Sequence, residues 1–346
     1  MRIAVFDTHP FDREAFEQAN ARFGHELSFF EARLTSRTAA LVKGHGAVCP
    51  FVNDRLDAPA IEALAQAGVR LVALRSAGFN HVDLVAVSRF GLPVVRVPEY
   101  SPHAVAEHTF ALLLSLVRKI PRAWLRVREA NFALDGLVGF DLAGKTFGVV
   151  GTGRIGAVVA SIAKGFGCRV LAYDVQPPKV LADDLGLEYA TLDRLYRESE
   201  IVSLHVPLTP QTWHLLDEAA FAKMRRGAVV LNTGRGALID SKALIGALKS
   251  GQVGGAGLDV YEEEEGLFFR DLSGQVLQDD TLARLLTFPN VLITSHQAFL
   301  TREALGNIAE TTLSNVSAFE AGRLQHEVRA QDVLRPAQEP VATPIP

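Results

Sequence analysis

A glycine-rich segment near the middle of the chain most constrains its fold. It reads Gly151-Thr-Gly-Arg-Ile-Gly156, directly follows the apolar run 146–150, and opens a stretch with helical periodicity. In this context the first glycine permits a tight turn, the second lets backbone amides approach a pyrophosphate, and the third lets the helix pack closely on the strand. The helix N-terminus favours the bound anion. The segment therefore predicts a dinucleotide site that includes Gly151, Gly153, Arg154, Ile155 and Gly156.

Asp174 ends the next predicted strand, eighteen residues after Gly156. A carboxylate at this point accepts hydrogen bonds from both hydroxyls of an adenosine ribose and repels a 2′-phosphate. The sequence thus predicts NAD rather than NADP as the cofactor. Without the glycine loop, a solvated acid at a strand end would be the simpler interpretation.

The chain alternates short apolar runs with helical patterns in two successive series, which predicts parallel sheets covered by helices. The 346 residues are about twice the size of a typical domain of ~150 residues. The first series predicts strands at 2–7, 26–30, 47–51, 70–75 and 93–97, with helices at 12–23, 58–67 and 82–90. The second predicts one helix from 102 to about 130, strands at 146–150, 169–173, 201–205, 228–232, 257–260 and 291–294, and helices at 155–166, 192–198, 218–224 and 241–249.

A last predicted helix, 302–321, returns to the first domain, so the second domain is an insertion. We expect two doubly wound α/β domains. Residues 1–100 and 298–346 are expected to form a flavodoxin-like catalytic (substrate) domain with a frayed tail over 328–346, and residues 101–297 are expected to form a Rossmann NAD-binding domain.

Composition excludes several other classes of function. Lys and Arg total 35 against 39 Asp and Glu, so no basic excess indicates a nucleic-acid or anionic-membrane partner. The most apolar helical stretch, 104–117, is too short to span a membrane. Only Cys49 and Cys168 occur, without metal-binding spacing. We therefore expect a cytoplasmic protein with no bound metal that acts on a small molecule.

Polar residues follow several predicted strands of the second series, at the sheet edge where open α/β sheets bind ligands. The segments concerned are 203–207, 232–240, 259–264 and 294–296. They supply the candidates Val206, Pro207, Thr233, Gly234 and Asp259 for contact with the cofactor, and Thr212 lies a few residues after the first segment.

From Arg2 to about Arg323 the chain resembles the D-isomer specific 2-hydroxyacid dehydrogenase family, and within it the fermentative lactate branch. The segments that carry the likeness are 77–80, 95–98, 100–102, 104–108, 204–210 and 295–301, with 266–270 and 276–280 similar to the lactate branch. The resemblance implies a catalytic trio of Arg235, Glu264 and His296. It also implies reversible reduction of pyruvate to D-lactate with NADH.

The chemistry of the trio agrees with these residue types. An Arg235 guanidinium can hold a 2-oxo acid's carboxylate through two parallel hydrogen bonds. His296 can protonate the alkoxide that forms on hydride transfer, while Glu264 fixes the imidazole tautomer. Taken singly, each residue also suits a structural or solvated position, and only the family pattern selects Glu264 from the run 262–265. The other histidines, His81, His103, His108 and His205, are interpreted as structural or supporting. Of these, His205 remains an alternative candidate for the acid.

The resemblance further implies a pocket for a small substrate side chain. Phe51, Tyr100 and Phe299 surround it, and backbone amides near Ala77 and Gly78 help to hold the carboxylate. Thr212 departs from the family pattern, in which Asn often contacts the cofactor ribose region, so its contact with NAD stays open.

Two alternative functions remain at this point. One is a D-2-hydroxyacid dehydrogenase for a larger 2-oxo acid such as phenylpyruvate or hydroxypyruvate, and the other is an NAD-sensing interaction protein of the same fold. The resemblance also implies a homodimer built on the cofactor domains, or a tetramer of two such dimers, and we expect the helix 104–117 at the junction.

Overall fold

The computed structural model describes residues 1–329, apart from the side chains of residues 179 and 180. The chain divides into two compact units. Among the described residues, unit 1 contains Met1–Ser101 and the chain from Thr301 to 329, and unit 2 contains Pro102–Leu300. Each unit is built on a parallel sheet, which confirms the predicted α/β fold class. Within residues 1–329, no helix is long and apolar enough to cross a membrane.

The sheet of unit 1 has five parallel strands in the order β2-β1-β3-β4-β5, the flavodoxin-like order. They are Arg2–Val5 (β1), Glu26–Phe29 (β2), Ala47–Cys49 (β3), Leu71–Ala73 (β4) and Val94–Val95 (β5). The helices between them are Pro10–Asn20 (α1), Ala58–Gln66 (α2) and Leu84–Phe90 (α3), with a 3₁₀ turn at Ala39–Val42. Aspartates cap two of these helices: Asp57 accepts from the N–H of Ala60, and Asp83 from those of Val85 and Ala86.

Unit 2 begins with two helices, Pro102–Val117 (α4) and Ile120–Arg128 (α5), where the sequence predicts a single one. The chain breaks at Lys119, which adopts a left-handed φ of 55°. Pro121 explains the break, because it has no N–H to donate to the Val117 carbonyl in a continuous helix. Helix α4 buries Phe110, Leu113 and Val117 in the core of unit 2.

The sheet of unit 2 has seven parallel strands in the order β12-β11-β10-β9-β6-β7-β8. They are Thr146–Val150 (β6), Arg169–Tyr173 (β7), Glu188–Tyr189 (β8), Ile201–Leu204 (β9), Ala228–Asn232 (β10), Val253–Leu258 (β11) and Val291–Ile293 (β12). The strand order reverses between β6 and β9, which is where a Rossmann fold binds its dinucleotide. The helices are Arg154–Gly165 (α6), Lys179–Leu185 (α7), Leu192–Glu198 (α8), Glu218–Lys223 (α9), Ser241–Ser250 (α10) and Asp280–Leu286 (α11), with a 3₁₀ turn at Gly236–Leu238.

The chain then returns to unit 1 through the helix Arg302–Glu320 (α12), which packs on α1 and β4. Its side chains Leu313 and Val316 are buried in one cluster with Ile3 and Val5 of β1. Beyond the helix, the segment 326–328 lies antiparallel to β5, and the N–H of Val328 donates to the Val94 carbonyl at 2.8 Å.

The prediction of a frayed tail is wrong at its first residue, because Val328 is 5% exposed and joins the core of unit 1. Its apolar side chain and its place beside the edge strand explain the order there. Residues 330–346 of the predicted tail lie outside the described residues.

Candidate active site

The glycine loop joins β6 to α6 at the reversal point of the unit 2 sheet. Gly151 has a φ of 94°, and a Cβ there would lie 2.8 Å from the carbonyl carbon of His205. A Cβ on Gly156 would lie only 1.9 Å from the Gly151 oxygen. Nothing lies within 4 Å of a Cβ built on Gly153, the N-cap of α6. The chain itself thus requires the first and third glycines, while the second leaves open the helix N-terminus that suits a pyrophosphate.

Asp174, at the tip of β7, is bonded to this loop. Its Oδ2 accepts from the Thr152 N–H at 2.7 Å and from the Thr152 hydroxyl at 3.0 Å. Tyr189 in β8 donates to the same hydroxyl at 3.0 Å. Sequence reasoning missed Thr152 and Tyr189. Their hydrogen bonds hold the predicted ribose-binding carboxylate against the glycine loop.

The other predicted cofactor residues of this region lie beside the loop. Arg154 is exposed and Ile155 half-buried in the first turn of α6, and Val206 would touch a Cβ on Gly151. The Thr212 hydroxyl donates to the Pro207 carbonyl at 2.6 Å and accepts from the Thr209 N–H at 2.8 Å. These bonds engage the hydroxyl in its own turn, so an Asn-like contact with a ribose would need them to be exchanged.

Arg235 lies in the loop after β10, and Asn232 shapes that loop. The Asn232 side chain accepts from the Gly234 N–H at 3.0 Å and donates to the Arg235 carbonyl at 2.9 Å. The neighbouring Thr233 hydroxyl is 3.0 Å from that of Thr109 in α4. A Cβ on Gly236 would lie 2.0 Å from the carbonyl carbon of Tyr261, so the Arg235 loop runs directly against the segment that leads to Glu264.

His296 and Glu264 form a hydrogen-bonded pair. The distance from His296 Nδ1 to Glu264 Oε1 is 2.7 Å, and the two side chains are 16% and 18% exposed. Glu262, two residues away, pairs instead with His214. Geometry therefore distinguishes Glu264 from its neighbours, which residue type alone does not. With its Nδ1–H donating to the Glu264 carboxylate, His296 has Nε2 to exchange a proton with a substrate.

Asp259 anchors the turn that carries His296. Its carboxylate accepts from the N–H groups of Gln297 at 2.9 Å and Ala298 at 2.8 Å, and its carbonyl accepts from the His296 N–H at 2.6 Å. His296 is held at a left-handed φ of 54°, which a non-glycine residue rarely adopts. Burial raises the pKa of Asp259, but hydrogen bonds from His108, Thr294 and Ala298 more than offset this and hold it below its ordinary value.

Asp259 is 0% exposed, and its carboxylate supports the turn that carries His296. Its contact with the cofactor stays a prediction. The Nε2 of His108, from α4, lies 3.0 Å from the Thr294 hydroxyl, which donates to Asp259. This position agrees with the interpretation of His108 as a supporting residue.

His205 is unsuited to the role of acid. Burial lowers its pKa to about 3, and its Nε2 lies 2.8 Å from the Ser203 hydroxyl. No group of three or more His, Cys, Asp or Glu side chains in the part of the chain that the structure describes could hold a metal ion.

The predicted substrate residues of unit 1 follow its strands at the carboxyl edge of the sheet. Phe51, after β3, is 3% exposed. After β4, Ala77 and Gly78 are held through their carbonyls, which accept from Arg96 at 2.8 Å and from Ser76 at 2.7 Å. The Tyr100 carbonyl accepts from Asn307 of α12 at 2.6 Å. Phe299 belongs to unit 2 and is half-buried three residues after His296.

A Rossmann unit with a glycine loop, an arginine after β10 and a histidine–carboxylate pair defines an NAD-linked dehydrogenase. Residues 110–298 match the family model described as D-isomer specific 2-hydroxyacid dehydrogenase, NAD binding domain. The chain belongs to the D-isomer specific 2-hydroxyacid dehydrogenase family. The predicted family, enzyme class and NAD cofactor are thereby confirmed.

Relatives of known name cover almost the whole chain. A 2-hydroxyacid dehydrogenase homolog 1 of Schizosaccharomyces pombe is 53% identical over 320 residues, which are 92% of this chain and 96% of the relative. D-lactate dehydrogenase of Escherichia coli is 52% identical over 322 residues, 93% and 98% of the two chains. The apo structure of the Escherichia coli D-lactate dehydrogenase superposes with a TM-score of 0.87 at 49% identity, covering 95% of this chain and 100% of that one.

Proposed function

We propose that the protein is a D-lactate dehydrogenase that reduces pyruvate to D-lactate with NADH and runs the reaction in reverse with NAD. The observation that carries the proposal is the His296–Glu264 pair, held in the same unit as the glycine loop and the Arg235 loop. The relatives named D-lactate dehydrogenase support pyruvate as the substrate.

Each residue of the site has a separate role in this reaction. The Arg235 guanidinium binds and orients the substrate carboxylate through paired, charge-assisted hydrogen bonds. Bound NADH supplies the hydride that adds to the keto carbon. His296 gives its Nε2 proton to the keto oxygen as that oxygen becomes an alkoxide, and takes it back when D-lactate is oxidised. Glu264 holds Nδ1 at 2.7 Å and stabilises the imidazolium, while Asp259 keeps the histidine turn in place.

In this proposal, residues of unit 1 contact the substrate. Phe51 and Tyr100, with Phe299 of unit 2, limit the size of the 2-oxo acid side chain, and the amides of Ala77 and Gly78 assist with the carboxylate. We accordingly assign substrate binding to unit 1, expected at 1–100 and 298–346, and cofactor binding to unit 2, expected at 101–297.

Specificity constants across four 2-oxo acids test the substrate. We expect kcat/KM to be highest for pyruvate, ahead of phenylpyruvate, 2-oxoisocaproate and hydroxypyruvate, and the product to be D-lactate by chiral chromatography. A higher value for a larger acid would assign the protein to another member of the family. Negligible turnover of all four, together with NAD-dependent capture of a protein partner, would favour the NAD-sensing alternative.

The assembly that we propose is a homodimer, and the surface that supports it is on α5 and the segment after it. Helix α4, expected at the junction, buries its apolar residues within unit 2. Large apolar side chains on α5 and up to residue 138 are instead more than half exposed: Ile120, Trp124, Leu125, Val127, Phe132, Leu134 and Val138. An exposed apolar surface of this extent is typical of a protein–protein interface. Light scattering distinguishes a dimer from a monomer or a tetramer.

We also propose that the protein acts in the cytoplasm. Cys49 and Cys168 are both buried free thiols, which suits a reducing compartment. Cell fractionation followed by an NADH-linked pyruvate assay tests this.

A further inference from the structure

Phe51 is held through its backbone by a buried aspartate. Its N–H donates to Asp54 Oδ2 at 2.7 Å, and its carbonyl accepts from the Asp54 N–H at 3.1 Å. The other carboxylate oxygen of Asp54 accepts from the Leu34 N–H, also at 2.7 Å. Asp54 is only 1% exposed. One carboxylate thus ties the residue that follows β3 to a separate loop of unit 1.

The guanidinium of Arg75 lies against the face of the Phe51 ring. Its guanidinium carbon lies 4.6 Å from the ring centroid, and its side chain is 1% exposed. The same guanidinium donates to the carbonyls of Cys49 at 3.1 Å and Phe6 at 2.8 Å. One buried cation therefore stacks on the ring and fixes the strand ends that surround it.

We propose that Asp54 and Arg75 are positioning residues that set the selectivity for the size of the 2-oxo acid side chain by fixing Phe51. The inference rests on the proposed function, in which Phe51 limits the substrate side chain. The ring also packs against His9, at a centroid distance of 5.6 Å and an interplanar angle of 62°. With its backbone bonded and two sides of its ring in contact, Phe51 has little freedom to withdraw from a bulky substrate.

The charges around Asp54 make this support sensitive to pH. Burial raises the pKa of Asp54 to about 7, against the opposing effects of the Phe51 N–H, the Arg75 charge and the Leu34 N–H. The other ionisable groups in this cluster are Asp7, whose charge acts in the same direction as burial, Asp12 beside Arg75, His9, and the Cys49 thiol, which burial keeps neutral. A protonated Asp54 carries a hydroxyl in place of one acceptor and attracts Arg75 less, so Phe51 becomes less firmly held as pH falls through about 7.

The test compares two substrates at each pH. The ratio of kcat/KM for phenylpyruvate to that for pyruvate cancels the ionisation of the shared acid His296. We expect this ratio to rise as pH falls from above to below about 7 in the wild-type enzyme. In Asp54→Asn, which has one acceptor oxygen and no titration, the ratio should be about tenfold higher and independent of pH. Most of the change should be a lower KM for phenylpyruvate, with kcat for both acids nearly preserved.

Matched controls separate this effect from general destabilisation. Asp57→Asn and Arg55→Lys alter a nearby ion pair at 3.0 Å that does not involve Phe51, and should leave the ratio and its pH dependence unchanged. Arg75→Lys keeps the charge but loses the planar fork, so it should raise the ratio as Asp54→Asn does. If Arg75→Lys fails to fold, Asp54→Asn and the wild-type pH series decide the matter.

Phe51→Ala distinguishes the role of Phe51 itself from the positioning role of Asp54 and Arg75. A raised ratio in Phe51→Ala with none in Asp54→Asn, and a wild-type ratio independent of pH, would overturn the positioning role alone. An unchanged ratio in Phe51→Ala would overturn the role of Phe51 in the proposed function and the inference with it. Turnover of neither acid by the wild-type enzyme would refute the proposed function itself.

Discussion

The variants His205→Gln and His296→Gln test which histidine of unit 2 serves as the acid. Burial lowers the pKa of His205 to about 3, so at pH 7 its protonated form is scarce. A proton donor with that population contributes almost nothing to the rate. We therefore expect His205→Gln to change kcat/KM for pyruvate by less than about threefold, and His296→Gln to lower it by about 10²- to 10⁴-fold.

The assay is steady-state oxidation of NADH by pyruvate, with the KM for NADH measured in parallel. Ser203→Ala provides the control, because it removes only the hydroxyl that lies 2.8 Å from His205 Nε2. A loss of 100-fold or more in His205→Gln, at unchanged stability and unchanged KM for NADH, would refute the reasoning about His205 (about 10² is the least that a general acid contributes). So would near wild-type turnover in His296→Gln.

The remaining predictions concern the cofactor loop, the assembly and stability. Asp174→Ser should raise kcat/KM for NADPH relative to NADH by at least about tenfold, because it removes the charge that repels a 2′-phosphate; an unchanged ratio would place the ribose elsewhere. Gly156→Ala, whose Cβ would lie 1.9 Å from a loop carbonyl oxygen, should lower the free energy of unfolding by about 1–3 kcal/mol, whereas Gly153→Ala, with open space around its Cβ, should cost less; equal losses in urea titrations would contradict this. Trp124→Asp, on the exposed face of α5, should shift the light-scattering mass from dimer to monomer, and a mass unaffected by the change would exclude α5 from the interface. Because the folded-state pKa of Asp54 is raised to about 7, the folded protein binds this proton more tightly than the unfolded chain does. Wild-type stability measured against Asp54→Asn should therefore fall as pH rises from about 4 to about 7, and a constant difference would show that Asp54 titrates normally.

Sequence reasoning predicted most of the long elements because each carries a clear period. The strands β6, β7 and β10 are five residues long and mostly apolar, and the glycine loop marks the start of α6. The prediction missed strand β8, which has two residues, and helices α7 and α11, which have seven each. The break between α4 and α5 was readable from Pro121, but the apolar pattern on both sides masked it.

Some residues of the site can be predicted from local sequence, whereas others depend on contacts between distant parts of the chain. The glycine loop is local in sequence, and its role follows from spacing. The choice of Glu264 over Glu262 depends on which carboxylate reaches His296, a residue more than thirty positions away. The contacts of Asp54 with Leu34 and of Arg75 with Phe6 join residues far apart in the chain, so no spacing rule finds them. The sequence shows only an aspartate three residues after Phe51 and an arginine at the end of the predicted strand 70–75.

The discontinuity of unit 1 determines when each part of the protein can fold during synthesis. The core of unit 1 includes Leu313 and Val316 of α12, so the first 101 residues leave the ribosome without one wall of their own core. That wall arrives only after all of Pro102–Leu300 has been translated. Unit 2, which is continuous, has all its residues earlier, so the part of the chain made first is the part that finishes folding last.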